Sequence, residues 1–304
     1  MAASAVADEV ERIGRHAGFG LDERAQLRPL PVGRLDVVIA WLPGSGWQSC
    51  VPPDDPRSAM LDLYLPICGG TTTHPMTVGH LGQSLDGFIA THSGDSRFVT
   101  GHDNLVHLHR MRALCGVVVV GAGTVAADDP QLTTRHVPGR NPLRVIFDPA
   151  RRLAPTYRVF TDDAAPTLYV CERSRISADE THMGKAAIVG IDDAGPERDI
   201  AQLLSLLRAR GCARVFVEGG GITVSAFLEA DLLDRLQIAI APLLIGDGRP
   251  AIRLAPHDSL RDCRRPRYRV FLMGGDVLFD CELKVQADVA DDGATRPPAV
   301  IRVV

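Results

Sequence analysis

The sequence predicts an α/β fold in which helices flank a mixed, mostly parallel sheet, and three observations carry that expectation. Short β-branched runs alternate with helix-length segments from Met76 onward, the order that builds strand–helix–strand units. Two of those runs pass directly into glycine turns, at Val117–Thr124 and Val215–Thr223. The regular region then closes on Tyr268–Met273, Gly274-Gly275 and Val277–Leu283, two runs about a two-glycine turn that read as an antiparallel hairpin.

Residues 1–74 read differently from the rest. Val6–His16 is amphipathic enough for a short helix, and Asp36–Trp41 reads as a short strand. Pro43–Trp47 and the Pro-rich Val51–Pro56 read as irregular chain, and Cys68–Thr73 as a linker. The expected division is an N-terminal extension over 1–74, a main domain over 75–285, and a loosely ordered tail over 286–304 rich in Ala, Asp and Pro. Within the main domain a strand near Pro75–Gln83 leads to the turn Leu85-Asp86-Gly87 and the run Phe88–Ala90. His102–Leu114 has helical spacing, with Leu105, Leu108, Met111 and Ala113 toward the core. Val117–Val120, Leu143–Phe147 and Thr167–Val170 are strands, and Ile200–Arg210 is a Leu-rich helix stopped by Gly211. Arg214–Val217 reads as a buried strand, Thr223–Ala230 as the helix after it, and Arg235–Ile245 as a long strand.

Composition excludes several classes. Hydrophobic residues make up 45% and charged residues 23%, ordinary values for a soluble enzyme. A net charge of −4, from 33 basic against 37 acidic residues, gives no general attraction to nucleic acid or to an anionic membrane. No apolar run approaches the roughly 20 residues that span a bilayer. Asp8 and Glu9 near the start, with no basic segment before them, do not read as a secretory signal, so a cytoplasmic location is expected. Seven scattered cysteines without a C-x-x-C pair read as reduced thiols. No metal site is expected, since His107 and His109 are two apart and fall on different faces of a helix.

The chemistry concentrates at the second glycine turn. Gly219, Gly220 and Gly221 let the backbone turn tightly and approach a ligand, and the N–H groups at the start of the next helix suit a phosphate. Glu218 sets a carboxylate at the carboxyl end of a strand, where open α/β sheets bind ligands. The first turn, Gly121-Ala122-Gly123-Thr124, lacks the third glycine of a Rossmann fingerprint. On a neighbouring strand it would clasp the same dinucleotide from the other side.

Read in order, Gly82–Gly87, Ser93–Ser96, Val99–Gly101, Leu108–Ala113, Val120–Val125, Ala127–Thr133 and Val217–Gly220 resemble the bacterial riboflavin-pathway reductase domain. That family reduces 5-amino-6-(5-phosphoribosylamino)uracil and has a dihydrofolate-reductase-like fold. The resemblance spans about residues 75 to 285. It implies a three-layer α/β/α architecture, NADPH as hydride donor and a homodimer. Carried over by position, Gly82, Phe98, Thr124, Asp128 and the segment Gly220, Gly221, Ile222, Thr223, Val224, Ser225 and Ala226 would line the cofactor. Ser96, Arg112, Leu132, Arg135 and Glu218 would contact the substrate. Arg112 and Arg135 offer planar, permanently charged forks for a phosphate, and Glu218 can accept two in-plane N–H donors of a pyrimidine. Asp128 is the nearest candidate for a catalytic acid.

The sequence departs from the family at two points. Phe98 stands where Trp is common, and Pro149 follows Asp148 where a Ser is frequent. Arg151 and Arg152 then come within reach of a 2′-phosphate. The N-terminal 74 residues lack the ligands of the deaminase that precedes the reductase in bifunctional relatives, so reduction alone is expected. Two rivals stay open: a reductase of a pterin or another heterocycle on the same fold, and a non-catalytic NADP(H)-binding protein.

Overall fold

The computed structural model describes residues 28–32, 35–42, 46–49, 51–52 and 54–286. The expected helix at Val6–His16 and the tail over 287–304 lie outside the described residues. Strands β1 (Arg28–Val32), β2 (Leu35–Leu42) and β3 (Gly46–Ser49) form a small antiparallel sheet of their own.

Helix α1 (Pro56–Cys68) follows, where the sequence reads as irregular chain running into a linker. Its start carries both helix signals: the Asp55 carboxylate accepts the Arg57 N–H at 2.9 Å, and proline occupies the first turn. Prolines at 52 and 53 disguise that start, yet Pro56 needs no N–H donor where it sits. Leu61, Leu63, Tyr64, Leu65, Ile67 and Cys68 share one core with the rest of the chain.

The main sheet is built from β4 (Met76–Ser84), β6 (Val117–Gly121), β7 (Leu143–Phe147), β8 (Thr167–Glu172), β9 (His182–Met183), β10 (Ala186–Ile191), β11 (Arg214–Glu218), β12 (Arg235–Ala241), β14 (Pro266–Met273) and β15 (Asp276–Gln286). Its order is β14-β15-β12-β4-β11-β6-β7-β8-β10-β9. The seven strands from β12 to β10 run parallel, and β15 and β9 run antiparallel to their inner neighbours. A separate ribbon pairs β5 (Phe88–Thr91) with β13 (Gly248–Pro250). Both faces of the main sheet are covered, as a parallel sheet requires. Val118, Val120 and Phe216 point into one core, while Val117, Val119, Val215 and Val217 point into the other.

Helices α1, α2 (His102–Leu114) and α3 (Ala122–Asp128) pack on the first face, with α5 (Pro196–Ala209) and α6 (Gly221–Glu229) on the second. A single short turn, α4 (Arg158–Thr161), lies between β7 and β8. The expected α/β/α layering, mixed sheet and closing hairpin are therefore all present. Gly211, with φ of 76°, ends α5 as the left-handed residue past its cap.

Apolar spacing predicts only part of the buried face of α2: Met111 is buried and Leu108 packs on the core, but polar residues fill the rest. Asn104, His107, His109, Met111, Arg112 and Leu114 are buried, while Leu105 is exposed. The reason is that these polar side chains find partners, with His109 Nε2 the exception. The Tyr64 hydroxyl meets His107 Nδ1 at 2.8 Å, and His107 Nε2 meets Gln237 Oε1 at 2.9 Å. Gln237 Nε2 donates to Asp280 at 3.2 Å, and Asp280 is clasped by Arg235. Because the Gln237 amide nitrogen must face the carboxylate, its oxygen faces His107, which fixes His107 as a neutral Nε2–H tautomer. Burial holds His107 well below the ordinary imidazole range.

Candidate active site

Three parallel strands, β4, β11 and β6, lie side by side; β11 ends at Glu218 opposite His80, β6 ends at Gly121, and β4 runs four residues past His80 to Ser84. The carboxyl edge of such strands is where an open α/β sheet forms its crevice. Gly219 and Gly220, at φ of 76° and 73°, make the turn out of β11 in a region costly for any other residue. A Cβ on Gly220 would lie 2.8 Å from Thr124 Oγ1, and one on Gly121 would lie 2.2 Å from Thr223 Oγ1. The two glycine turns are thus in mutual contact, each facing a threonine of the other. A Cβ on Gly221 would sit 2.2 Å from the Ala251 carbonyl, so the start of α6 is held against the chain beyond β13. Its leading N–H groups have no acceptor inside the helix, and its dipole adds positive charge at that end. This cradle fits a dinucleotide pyrophosphate.

The remaining positions expected to line a cofactor are spread around the edge. Ile222 is exposed on the first turn of α6, whereas Val224 packs into the core and the buried Ser225 hydroxyl accepts the Arg253 N–H at 2.9 Å. Thr223 is buried and Ala226 half-buried. Gly82 lies in β4, where a Cβ would come 2.7 Å from the Thr100 methyl. Phe98 sits on the loop before α2 with φ of 62° and 93% of its surface exposed, an unusual state for an aromatic residue.

The substrate candidates fall into two groups. Arg112 Nε donates to Glu218 Oε2 at 2.7 Å, and Nη2 donates to the other carboxylate oxygen. Nη1 of the same guanidinium donates to the Thr133 carbonyl at 3.0 Å. Both partners of the pair are largely buried, with side-chain exposures of 7% and 12%. Arg135, by contrast, is exposed. Its backbone N–H donates to His109 Nδ1 at 2.9 Å and its Nη1 to Thr133 Oγ1 at 2.5 Å. Burial and then the neighbouring Arg112 cation push its guanidinium below the usual arginine value. The Leu132 side chain is 1% exposed and belongs to the core, so what it can offer a ligand is backbone, held at φ of 55°. In the second group the Ser96 hydroxyl donates to Asp128 at 2.9 Å, at the end of α3 and beside the left-handed Asp129 cap.

Past β7, Asp148 is fully buried and accepts the Arg152 N–H (2.6 Å), the Leu153 N–H (3.0 Å) and the Tyr169 hydroxyl (2.9 Å). Arg151, at φ of 50°, is folded back onto Glu180 and the Arg175 carbonyl. Arg152 projects outward with 71% of its side chain exposed.

Sequence reasoning missed the histidines that support this site. His109 uses Nδ1 to hold the Arg135 backbone, and burial with the Arg112 and Arg135 cations lowers it to about 3. His80 pairs in register with Glu218 across β4 and β11 and meets Asn104 Oδ1 at 3.1 Å through Nε2. Burial lowers it to about 4. A histidine inside an apolar strand, as in Val78-Gly79-His80-Leu81, was the available signal. Among the described residues, no group of three or more His, Cys, Asp or Glu side chains is placed to hold a metal, and no helix is long and apolar enough to cross a membrane.

The family model described as "RibD C-terminal domain" matches residues 76–268. A 2,5-diamino-6-ribosylamino-4(3H)-pyrimidinone 5′-phosphate reductase of Methanothermobacter thermautotrophicus is 33% identical over 217 residues, covering 69% of this chain and 99% of that protein. The protein of the same name from Archaeoglobus fulgidus is 32% identical over 202 residues, covering 62% of this chain and 90% of its own length. Among solved structures, a diaminohydroxyphosphoribosylaminopyrimidine deaminase/5-amino-6-(5-phosphoribosylamino)uracil reductase from Thermotoga maritima superimposes with a TM-score of 0.61 at 26% identity. That match covers 74% of this chain and 62% of the other.

Proposed function

The chain belongs to the RibD C-terminal domain family, and from that premise we propose that it reduces a phosphorylated ribosylaminopyrimidine with NADPH, turning the ribosyl side chain into a ribityl one. It is an oxidoreductase of the riboflavin pathway. One observation carries the site assignment: Glu218 ends β11, and the glycine seat begins at the next residue. The group that reads the pyrimidine and the seat of the cofactor pyrophosphate are thereby joined by a single rigid turn.

When bound, the nicotinamide would supply the hydride to C1′ of the ribose in its open-chain Schiff-base form. That form is reached when the C1′–O4′ bond opens and the N–H proton passes to O4′; after hydride transfer a proton from the site goes to the nitrogen. The chain's own part is orientation. Gly219 to Thr223 hold the pyrophosphate, Glu218 accepts pyrimidine N–H groups, Arg135 meets the phosphate, and Asp128, held by the Ser96 hydroxyl, is the side chain nearest to pass on that proton. Bringing the two reactants into register supplies most of the rate. The test is NADPH oxidation with two pyrimidines, the 2,5-diamino-4-pyrimidinone and its deaminated uracil counterpart, both as 5′-phosphates. Turnover of either supports the reading, and the faster one identifies the physiological substrate. A pterin reduced in preference to both would favour the heterocycle rival. Cofactor binding with no turnover would favour a non-catalytic role.

The choice of NADPH over NADH rests on Arg152, whose Nε lies 3.6 Å from Asp148 but whose side chain is largely exposed at the carboxyl end of β7, next to the strand that leads into the first glycine turn. Arg151 is already committed to Glu180. Arg152→Ala should therefore raise KM for NADPH about 10-fold, the loss of one charge-assisted contact, and leave KM for NADH unchanged. Equal effects on both cofactors would remove the assignment.

A homodimer is proposed through the edge strand β14, where Tyr268, Val270 and Leu272 occupy alternate positions of one face and are all exposed. A monomer in sedimentation at micromolar concentration would exclude it. Burial lifts the Cys68 and Cys115 thiols to about 12, in keeping with a proposed cytoplasmic site.

A further inference from the structure

We infer that Arg112 is a positioning residue for Glu218 and that Arg135 alone supplies the guanidinium for the substrate phosphate. The inference rests on the reductase reading and refines it. An arginine that is to grip a phosphate must present its planar fork to the ligand. The Arg112 fork is spent: Nε and Nη2 engage the two oxygens of Glu218, and Nη1 engages the Thr133 carbonyl. The group is also nearly sealed from solvent. Turning it toward a phosphate would strand the half-buried Glu218 carboxylate without a partner, a costly state for a charge.

What the pair does for a substrate follows from the valence of the carboxylate. Its two oxygens offer about four lone-pair positions. Arg112 takes one on each oxygen and fixes the plane of the group. The remaining positions stay in that plane for two pyrimidine N–H donors. The same guanidinium anchors Thr133, and His109 anchors Arg135 through its backbone N–H. One face of α2 thus sets both the carboxylate and the loop carrying the exposed cation, while only Arg135 keeps free donors.

The experiment is calorimetric binding of two ligands to the NADP⁺-loaded protein: the 2,5-diamino-6-ribosylamino-4-pyrimidinone 5′-phosphate and its dephosphorylated nucleoside. Arg135→Ala should weaken the phosphorylated ligand by roughly 10- to 100-fold and leave the nucleoside unchanged. Arg112→Ala should weaken both ligands by the same factor, and should add no further loss in a Glu218→Gln background, as expected of residues acting as one unit. Arg112→Lys, which keeps a cation beside Glu218, carries the same test if the alanine variant does not fold. An Arg112 loss that disappears with the nucleoside, or that adds to the Glu218 loss, overturns the inference while leaving the reductase reading intact. Failure of the unaltered protein to bind either pyrimidine overturns both.

Discussion

Glu218→Gln should lower kcat/KM for the phosphoribosylaminopyrimidine by roughly 30- to several-thousand-fold, the range for breaking a desolvated charge pair, while NADPH affinity stays within a factor of about three. The substitution keeps shape and reverses donor sense at one oxygen. Arg112 donates to both oxygens of the carboxylate, so an amide NH₂ placed there would meet a donor with a donor. The pyrimidine would lose an acceptor at the same time. The proposed cofactor seat, Gly219 to Thr223, makes no use of the carboxylate and should be spared. Steady-state kinetics with each substrate varied in turn, with circular dichroism to confirm folding, gives the answer. Equal loss for both substrates, or no loss, would sink the role given to Glu218.

Acidification should unfold the protein steeply below pH 6. His80, His107 and His109 are all buried and neutral, at about 4, well below the ordinary value, and about 3 respectively. In the unfolded chain each returns to about 6.5. The unfolded state therefore binds more protons between those values, and stability falls as pH drops through 6.5. His80 and His109 each cost roughly 1 kcal/mol as pH falls from 6 to 5, and His107 acts in the same direction. Against the 5–15 kcal/mol typical of a folded domain, the combined loss is a sizeable share. Urea midpoints at pH 7.5, 6 and 5 measure it, and a flat profile would refute it.

Much of this molecule was legible in its residues because local chemistry decided it. The four valines of β6 are buried on both faces, and the glycine turns and closing hairpin sit where their residue types demand. Three things were not legible. Helix α1 hides behind prolines, although Asp55 and Pro56 mark its start. The two-residue edge strand β9 and its neighbour β10 lack strong alternation, and tertiary pairing makes them. The Arg112–Glu218 pair joins residues 106 apart in sequence, so nothing local announces it. Motif order could name both residues as substrate contacts, but only packing brings them to each other. The same holds for His107, whose partners Tyr64 and Gln237 come from opposite ends of the chain.

The threading of β11 has a consequence for how the molecule comes into being. This strand lies between β4 and β6 yet follows both by many residues, so the earlier strands must leave a slot that a later segment fills. Contacts of such separation close slowly, since the loop entropy is lost before the pairing energy is gained. On an emerging chain, every element from β4 to α5 is made before the carboxylate and the glycine turn arrive. Insertion of one five-residue strand, Arg214–Glu218, therefore links β4 to the β6-to-β9 side of the sheet and sets Glu218 beside Arg112, before β12, β15 and β14 add beyond β4.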